Sequence, residues 1–454
     1  MMLRAPGLQR RVGDDAVRDT NDDAQLSKLS CVRLGYFQDS FVHRFVRRPS
    51  RRSPLINRGY YSRYAALRSL LLQFLALGLP SDSPGGSARQ LVGVQGGAAG
   101  AASKPGAHGQ QLDGAAKQAA EPGQPQGHPE GHSHQQPAPT GAPAPRSQQS
   151  AQPPAAAEQQ AGAGSPPPRQ GQPRGMHAGQ RRQVLVLGAG YDTAFFQLAA
   201  EGVRADKYVE IDFLQVTQKK AAAIQQLPDL LACLGPDAAS NIHPEEGRVV
   251  TDSYCLVPAD LRDLGQLAAA LEAAGLDTSA PTFVLSECVL VYLKPQHSRD
   301  VVRWLAEHLQ SAVMAVYEQI QPDDAFGQQM MLNLESRGCP LLGVEATPTL
   351  EAQRRRFTDC GWHRAEAYTM DHVYSRCIDP ADRRRIERLE IFDEFEEWHL
   401  IQQHYCIALG IKDDSGLLDG FSLPQHAPAP PAPPLGLAPI GRGHGVPPPP
   451  RFVM

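Results

Sequence analysis

The chain has 454 residues, with 41 Gly, 40 Pro and a net charge of −4. The slight acidity disfavours broad nucleic-acid binding through a basic surface. The eight cysteines are scattered and form no CxxC pair, so we predict buried free thiols and no metal site. Two segments, 81–180 and 421–454, hold 26 of the 40 prolines. The remaining 320 residues suffice for one large core.

The amino-terminal region is predicted to form a helical cap. Residues 1–24 are expected to be disordered, whereas residues 25–80 show apolar residues at three- and four-residue spacing, which indicates helices. No apolar stretch is long enough to span a bilayer, and residues 1–24 lack the apolar core of a secretory signal. We therefore expect a protein of the cytoplasm, and also of the nucleus, without membrane contact.

Two low-complexity segments are predicted to be disordered, an insertion at 81–181 and a tail at 413–454. Residues 81–180 contain 15 Pro and 18 Gly but no aromatic residue, so they cannot bury enough apolar surface to offset the entropy of ordering. The histidines at 128, 132 and 134 belong to this solvated run, which is a better explanation than a metal site.

From residue 182 to residue 412 the pattern changes to alternating strands and helices. The apolar run Val184–Leu187 is typical of a central parallel strand that is covered on both faces. Further strands are predicted at 207–212, 254–257, 282–287, 312–318, 362–370 and 404–409. Helices separate them, including helices at 263–274, 295–310, 323–337, 350–359 and 381–402. The alternation predicts an α/β fold with a doubly wound, seven-stranded, mostly parallel sheet.

The first predicted strand ends in a glycine turn. Gly188 and Gly190 would let a ligand approach the backbone, and the acidic Asp212 ends the next strand, where a carboxylate can accept hydrogen bonds from ribose hydroxyls. A dinucleotide would favour a third glycine, but Thr193 occupies that position and Asp192 would repel phosphates. A nucleoside without phosphate, such as S-adenosylmethionine, fits this turn better. Close strand–helix packing is the structural alternative for the glycines.

Several ordered segments resemble the leucine carboxyl methyltransferase family. They are Asn57–Arg63, Leu187–Thr193, Ala259–Leu264, Glu287–Tyr292, Tyr317–Gln319, Phe326–Gln328 and Arg385–Tyr405. The resemblance covers about residues 25–79 and 182–411 and is interrupted by the insertion. It implies a Rossmann-like class I methyltransferase that uses S-adenosylmethionine to methylate the C-terminal leucine carboxylate of the protein phosphatase 2A catalytic subunit.

The resemblance also implies roles for individual residues. Arg63 is similar to the arginine that binds the methionine carboxylate of the cofactor, and Glu287 is similar to the acid near its amino group. The other implied cofactor-binding residues are Lys28, Gly188, Asp212, Asp260 and Leu261. The structural alternatives are a helix cap for Asp260 and a solvated helix position for Arg63. Glu210 is interpreted as a structural strand residue.

The acceptor side is less sharply defined by the sequence. Tyr292 is predicted either to position the substrate or to be an aromatic core residue, and Tyr317 and Glu318 are weaker candidates. A free C-terminal carboxyl group has a pKa of about 3.3–3.7 and is ionised at neutral pH, so no general base is needed. Catalysis should therefore depend on positioning and on the exclusion of water.

Three alternatives to the phosphatase substrate remain open. The first is a small-molecule carboxyl methyltransferase, and the second is a phosphatase-binding protein that keeps the fold without catalysis. The third is the related branch that modifies a guanosine of transfer RNA. Members of that branch carry a C-terminal propeller, whereas this chain ends in a Pro-rich run. We expect a monomer that acts on a protein and binds no nucleic acid.

Overall fold

The computed structural model describes residues 7–78 and 181–427. Most of the predicted insertion, the end of the predicted tail and the three histidines at 128–134 lie outside the described residues. Within the described ranges, no helix is both long and apolar enough to cross a bilayer.

A mixed sheet forms the centre of the molecule. Its strands are β1 Gln183–Leu187, β2 Lys207–Asp212, β3 Ile242–His243, β4 Arg248–Val250, β5 Tyr254–Pro258, β6 Thr282–Glu287, β7 Ser311–Gln319, β8 Arg364–Thr369 and β9 Tyr405–Asp413. In the described part of the chain they are ordered β3-β4-β5-β2-β1-β6-β7-β9-β8. Strands β5, β2, β1, β6 and β7 run parallel, and β9 is antiparallel to both of its neighbours.

The predicted fold class is confirmed, because the seven predicted strands are present with a parallel centre. The sheet also contains β3 and β4, a short antiparallel extension that the sequence analysis missed. These strands have two and three residues, so they are too short to show a period-two pattern. Every residue of β1 is buried, as expected for a strand with helices on both faces.

Helices cover both faces of the sheet. Within the described ranges, the α-helices of seven or more residues are α1 Gly7–Arg33, α2 Pro54–Leu75, α3 Ala194–Ala200, α4 Leu214–Gln226, α5 Pro228–Leu234, α6 Leu264–Ala273, α7 Pro295–His308, α8 Ala325–Ser336, α9 Leu350–Thr358, α10 Pro380–Ile386 and α11 Phe395–Gln403. Helix α2 starts with Ser53 as its N-cap and Pro54 in its first turn, both favourable at a helix start. It packs on the sheet through Phe74, whose ring centroid lies 5.6 Å from that of Phe283.

Three predicted boundaries are wrong. The predicted helix 381–402 is divided into α10 and α11, because the intervening Glu390 accepts hydrogen bonds from Tyr36 and Asn57, which hold this segment against the cap. The predicted disordered start at 1–24 overlaps α1, which begins at Gly7. The predicted tail begins too early, since Leu418 and Phe421 are buried in the core.

Polar contacts explain the two ordered ends. Residues 413–427 follow the sheet edge, where the Asp413 carboxylate accepts from the Leu418 amide and Arg364 donates to the Leu418 and Phe421 carbonyls. The first half of α1 is held mainly by polar side chains, which an analysis of apolar periodicity does not detect. Asn21 of α1 bonds the Tyr191 amide after β1, and Arg63 of α2 bonds Glu287 at the end of β6, so both helices lie at the carboxyl ends of the parallel strands.

Candidate functional site

The glycine turn after β1 requires glycine at both positions. Gly188 and Gly190 have φ values of 63° and 54°, in the left-handed region. A Cβ atom on Gly188 would lie 2.5 Å from Cγ2 of Val289, and one on Gly190 would lie 2.5 Å from Oδ1 of Asn21. Substitution would therefore both strain the backbone and create a clash. The turn lies beside the boundary between β1 and β6, where an open α/β sheet reverses its strand order and binds ligands.

Asp212 lies directly beside this turn. Its carboxylate accepts from the Gly190 amide and from the Phe213 amide, both at 2.7 Å. Burial raises the pKa of Asp212, and the two backbone donors partly oppose that effect. The Ala259 amide donates to the Asp212 carbonyl at 3.0 Å, so the end of β5 adjoins the end of β2. The predicted ribose acid and the predicted adenine pair therefore lie at one edge of the sheet.

Lys28 joins the cap to the glycine turn. Its ammonium group donates to Asp192 at 2.9 Å and to the Thr193 hydroxyl at 2.6 Å, and it lies 3.2 Å from a carboxylate oxygen of Asp39. The three protons of the buried ammonium thus face three protein oxygens. Burial alone would raise the pKa of Asp192, but Lys28 and Lys220 lower it to about 2.

A second buried lysine, Lys220, also contacts the glycine turn. Lys220 on α4 donates to the Asp192 carbonyl at 2.7 Å and forms an ion pair with Glu210 on β2. Glu210 also accepts from the Tyr254 hydroxyl at 2.8 Å, which agrees with its interpretation as a structural residue. Lys220 is not recognisable as a site residue from the sequence, because a lysine on an amphipathic helix is normally exposed. We call Lys28, Asp39, Asp192, Lys220 and Glu210 the turn network.

Arg63 on α2 meets Glu287 at the end of β6. The Arg63 guanidinium donates through Nε to Glu287, and within the described ranges its two terminal nitrogens make no hydrogen bond. The Tyr317 ring lies beneath it, with 4.7 Å between Cζ of Arg63 and the ring centroid. Both partners of this ion pair are partly exposed, at 19% and 26% of their side chains. We call Arg63 and Glu287 the edge pair.

Asp260, at the end of β5, interacts with its own neighbour. Arg262 donates to both of its carboxylate oxygens and also to Asp14 on α1. Burial tends to raise the pKa of Asp260, but the Arg262 hydrogen bonds lower it overall. The alternative role of Asp260 as a helix cap is wrong, because Asp263 caps α6 by accepting from Gly265 at 2.9 Å. Leu261 is buried at the same edge.

The first half of α1 contributes polar residues that the sequence analysis missed. Asp14 binds Arg262, Arg18 lies 5.8 Å from the Phe213 ring centroid, and Asn21 accepts from the Tyr191 amide at 2.9 Å. Together with Gln25 and Lys28 they form a stripe at alternating four- and three-residue spacing. The spacing of this polar stripe is the sequence signal that indicates a helix. The first half of α1 lacks apolar periodicity and is therefore not recognised as a helix by that criterion.

Two of the three acceptor-side candidates, Tyr317 and Glu318, lie on opposite faces of β7. Tyr317 lies on the Arg63 face, and its ring stacks on Tyr405 with 5.4 Å between centroids. Glu318 is fully buried and paired with Arg356 at 2.7 Å, so its role is structural. Tyr292 packs against the apolar cluster around Val291, and burial raises the pKa of its hydroxyl. Its role in positioning the substrate remains a prediction.

Comparison with known proteins agrees with this arrangement. A sequence model of the family described as leucine carboxyl methyltransferase matches residues 174–306. Leucine carboxyl methyltransferase 1 of Rattus norvegicus is 38% identical over 233 residues, which cover 50% of this chain and 68% of that protein. The tRNA wybutosine-synthesizing protein 4 of Rattus norvegicus is 33% identical over 411 residues, covering 89% of this chain and 45% of that protein.

A plant protein matches over a larger share of its own length. The leucine carboxyl methyltransferase 1 homolog of Arabidopsis thaliana is 40% identical over 411 residues, which cover 90% of this chain and 93% of that protein. The chain therefore belongs to the leucine carboxyl methyltransferase family.

Proposed function

We propose that the chain uses S-adenosylmethionine to methyl-esterify the C-terminal leucine carboxylate of the protein phosphatase 2A catalytic subunit. The observation that carries the proposal is the edge pair. Arg63 and Glu287 offer one cation and one anion side by side, as the amino-acid end of this cofactor requires. When bound, the cofactor supplies the methyl group.

The residues at the carboxyl edge fit the rest of the cofactor. We infer that Arg63 holds its carboxylate through the terminal nitrogens and that Glu287 holds its ammonium group. Asp212 accepts from the ribose hydroxyls. In the same proposal Asp260 and Leu261 contact the adenine, and Gly188 lies against the methionine moiety. Lys28 lies near the cofactor and holds the glycine turn through Asp192 and Thr193.

In this proposal the residues of the chain orient the two substrates and exclude water from them. The acceptor carboxylate is already ionised, so it needs no base, and negative charge disappears as its oxygen attacks the methyl group. Exclusion of water favours such a charge-neutralising step. Helices α1 and α2 cover the strand ends, and Tyr292 is proposed to position the carboxylate beside the edge pair.

The comparisons favour a protein acceptor over RNA. Identity is 40% to the plant leucine carboxyl methyltransferase homolog and 33% to the rat tRNA-modifying protein. We therefore propose that the enzyme binds no nucleic acid. We also propose that it is a monomer of the cytoplasm and of the nucleus. A small-molecule carboxyl acceptor and a non-catalytic phosphatase-binding role are the remaining candidates.

Transfer of a labelled methyl group tests the proposal. We expect base-labile label on the intact phosphatase catalytic subunit and none on a variant that lacks its terminal leucine, because esters of carboxylates hydrolyse in alkali. Label on transfer RNA alone, or on the leucine-deleted phosphatase, would contradict the assigned acceptor. Cofactor binding in calorimetry without transfer to any acceptor would favour the non-catalytic role.

A further inference from the structure

Strand β7 carries side chains beyond the residues assigned to the cofactor. The pairing of β6 with β7 ends at Glu287 opposite Tyr317, so β7 extends two residues further at the carboxyl edge. Residues assigned to the cofactor follow β1, β2, β5 and β6. The edge formed by β7 and β9 is therefore left for the acceptor. Because side chains alternate along a strand, Gln319 shares the face of Tyr317 and lies further out.

Gln319 is buried and only half satisfied. Gln319 is 3% exposed, and its side-chain Nε2 donates to the Tyr405 hydroxyl at 3.3 Å. Its Oε1 has no hydrogen-bond partner among the described residues. An amide oxygen that is buried without a donor is costly, so this atom favours a ligand that brings an N–H group.

The position of Gln319 relative to the edge pair defines the ligand. Gln319 is opposite Tyr405 in the β7–β9 pairing, and the Tyr405 ring stacks on Tyr317 beneath Arg63. An acceptor carboxylate that reacts beside the edge pair has no hydrogen of its own to donate. In a peptide, the nearest donor is the amide N–H of the terminal residue, which is attached to the same Cα as the carboxylate.

We propose that Oε1 of Gln319 accepts a hydrogen bond from the amide N–H of the acceptor's C-terminal residue. Gln319 would then be a specificity-determining residue that favours a peptide over a simple carboxylic acid. This inference rests on the proposed function and adds the chemical group that is recognised. Cys288, which follows Glu287 with a strained φ of 53°, has its thiol beside the Gln319 side chain.

An ester-for-amide exchange in the acceptor tests the hydrogen bond directly. The probes are a C-terminal phosphatase peptide and its depsipeptide, in which an ester oxygen replaces the N–H of the last linkage. The wild-type protein should methylate the depsipeptide with about tenfold lower kcat/KM, as expected for one lost hydrogen bond. Gln319→Met should lower kcat/KM for the amide peptide to a similar extent and should no longer discriminate between the two peptides.

Gln353→Met is the matched control. Gln353 is also buried and has an Oε1 without a partner among the described residues, but its amide nitrogen donates to the Thr347 carbonyl, on the Glu318 face of β7 and not on the face of Tyr317. This variant should keep the discrimination. The cofactor Kd of both variants should match the wild type, and their Tm values show whether each is folded.

Binding measurements separate this inference from the proposed function. Calorimetry of both peptides on protein saturated with S-adenosylhomocysteine needs no methyl transfer. If the wild type binds the amide peptide more tightly than the depsipeptide, Gln319→Met does not, and no methyl group is transferred, the inference is supported and the proposed function is contradicted. Equal binding and turnover of the two peptides by the wild type, persistent discrimination in Gln319→Met, or no peptide binding at all would overturn the inference.

Discussion

The turn network and the edge pair are two charged clusters on opposite sides of the glycine turn, and they differ in how completely they are satisfied. In the turn network, Lys28 and Lys220 are buried and face several protein oxygens. In the edge pair, both partners are partly exposed, and within the described ranges Arg63 donates through one nitrogen. Thus the lysines of the turn network are occupied by protein oxygens, although Oε1 of Glu210 has no partner among the described residues, whereas Arg63 of the edge pair retains free donors.

The difference shows how to separate structural from functional charges in this fold. A buried ammonium whose protons are all used cannot bind a ligand unless it loses a protein contact, so its main effect is on stability. A partly exposed ion pair adds little to stability and can exchange its partner for a ligand. Substitutions in the turn network should therefore change unfolding, and substitutions in the edge pair should change binding.

The largest expected effect is on stability, from removal of Lys220. Lys220→Met leaves the buried Glu210 without its cation and the Asp192 carbonyl without its donor. We expect a loss of about 3–5 kcal/mol in the free energy of unfolding, measured in urea. The double variant Lys220→Met/Glu210→Gln should recover part of this loss, because it removes the unpaired carboxylate. A loss below about 1 kcal/mol in the single variant would show that the network is not structural.

The next effect is on cofactor binding, from removal of Arg63. Arg63→Ala should raise the Kd for S-adenosylmethionine about 100-fold, as expected for lost charge-assisted hydrogen bonds, with little change in Tm. Arg68→Ala is the matched control, because Arg68 lies on the same helix and pairs with Glu201 instead. If both variants bind the cofactor as the wild type does, Arg63 has no role at the site.

The smallest effect concerns pH and the link between cap and turn. Lys28 and Lys220 lower the pKa of Asp192 to about 2 against the tendency of burial, so ionised Asp192 stabilises the folded state above its ordinary pKa near 4. This contribution, about 2 kcal/mol, should be lost as pH falls from about 4 towards 2. Unfolding free energies measured at several pH values should show the loss in the wild type and not in Asp192→Asn. An identical pH dependence in both proteins would contradict it.

The sheet could be predicted from the sequence because its signals are local. The buried run Val184–Leu187, followed by a glycine turn and an acidic strand end, defines the first β-α-β unit without any long-range information. The extension by β3 and β4 has strands of two and three residues, too short for a recognisable pattern. The division of the helix at 381–402 depends on tertiary contacts, those of Glu390 with Tyr36 and Asn57. Contacts across more than 300 residues leave no trace in periodicity.

The site was predicted unevenly for the same reason. Arg63 and Glu287 stand in recognisable segments, and the structure brings them together. Asn21 and Lys220 stand in no motif, because one lies in a polar stripe and the other resembles a surface lysine until α4 packs on the sheet. Their roles follow from contacts that exist only in the folded chain, a hydrogen bond for Asn21 and a buried ion pair for Lys220.

On the proposed function, the division of the site between α1–α2 and the sheet would make the cofactor a bridge between them. Asn21, Lys28 and Arg63 precede residue 79 in the chain, whereas Gly188 and Glu287 follow residue 180. A ligand that touches both groups stabilises their association by its own binding free energy, about 2.7 kcal/mol at a concentration 100 times its Kd. On the proposed function, the cellular supply of methyl donor would therefore set both the rate of turnover and the resistance of the cap to local opening and proteolysis.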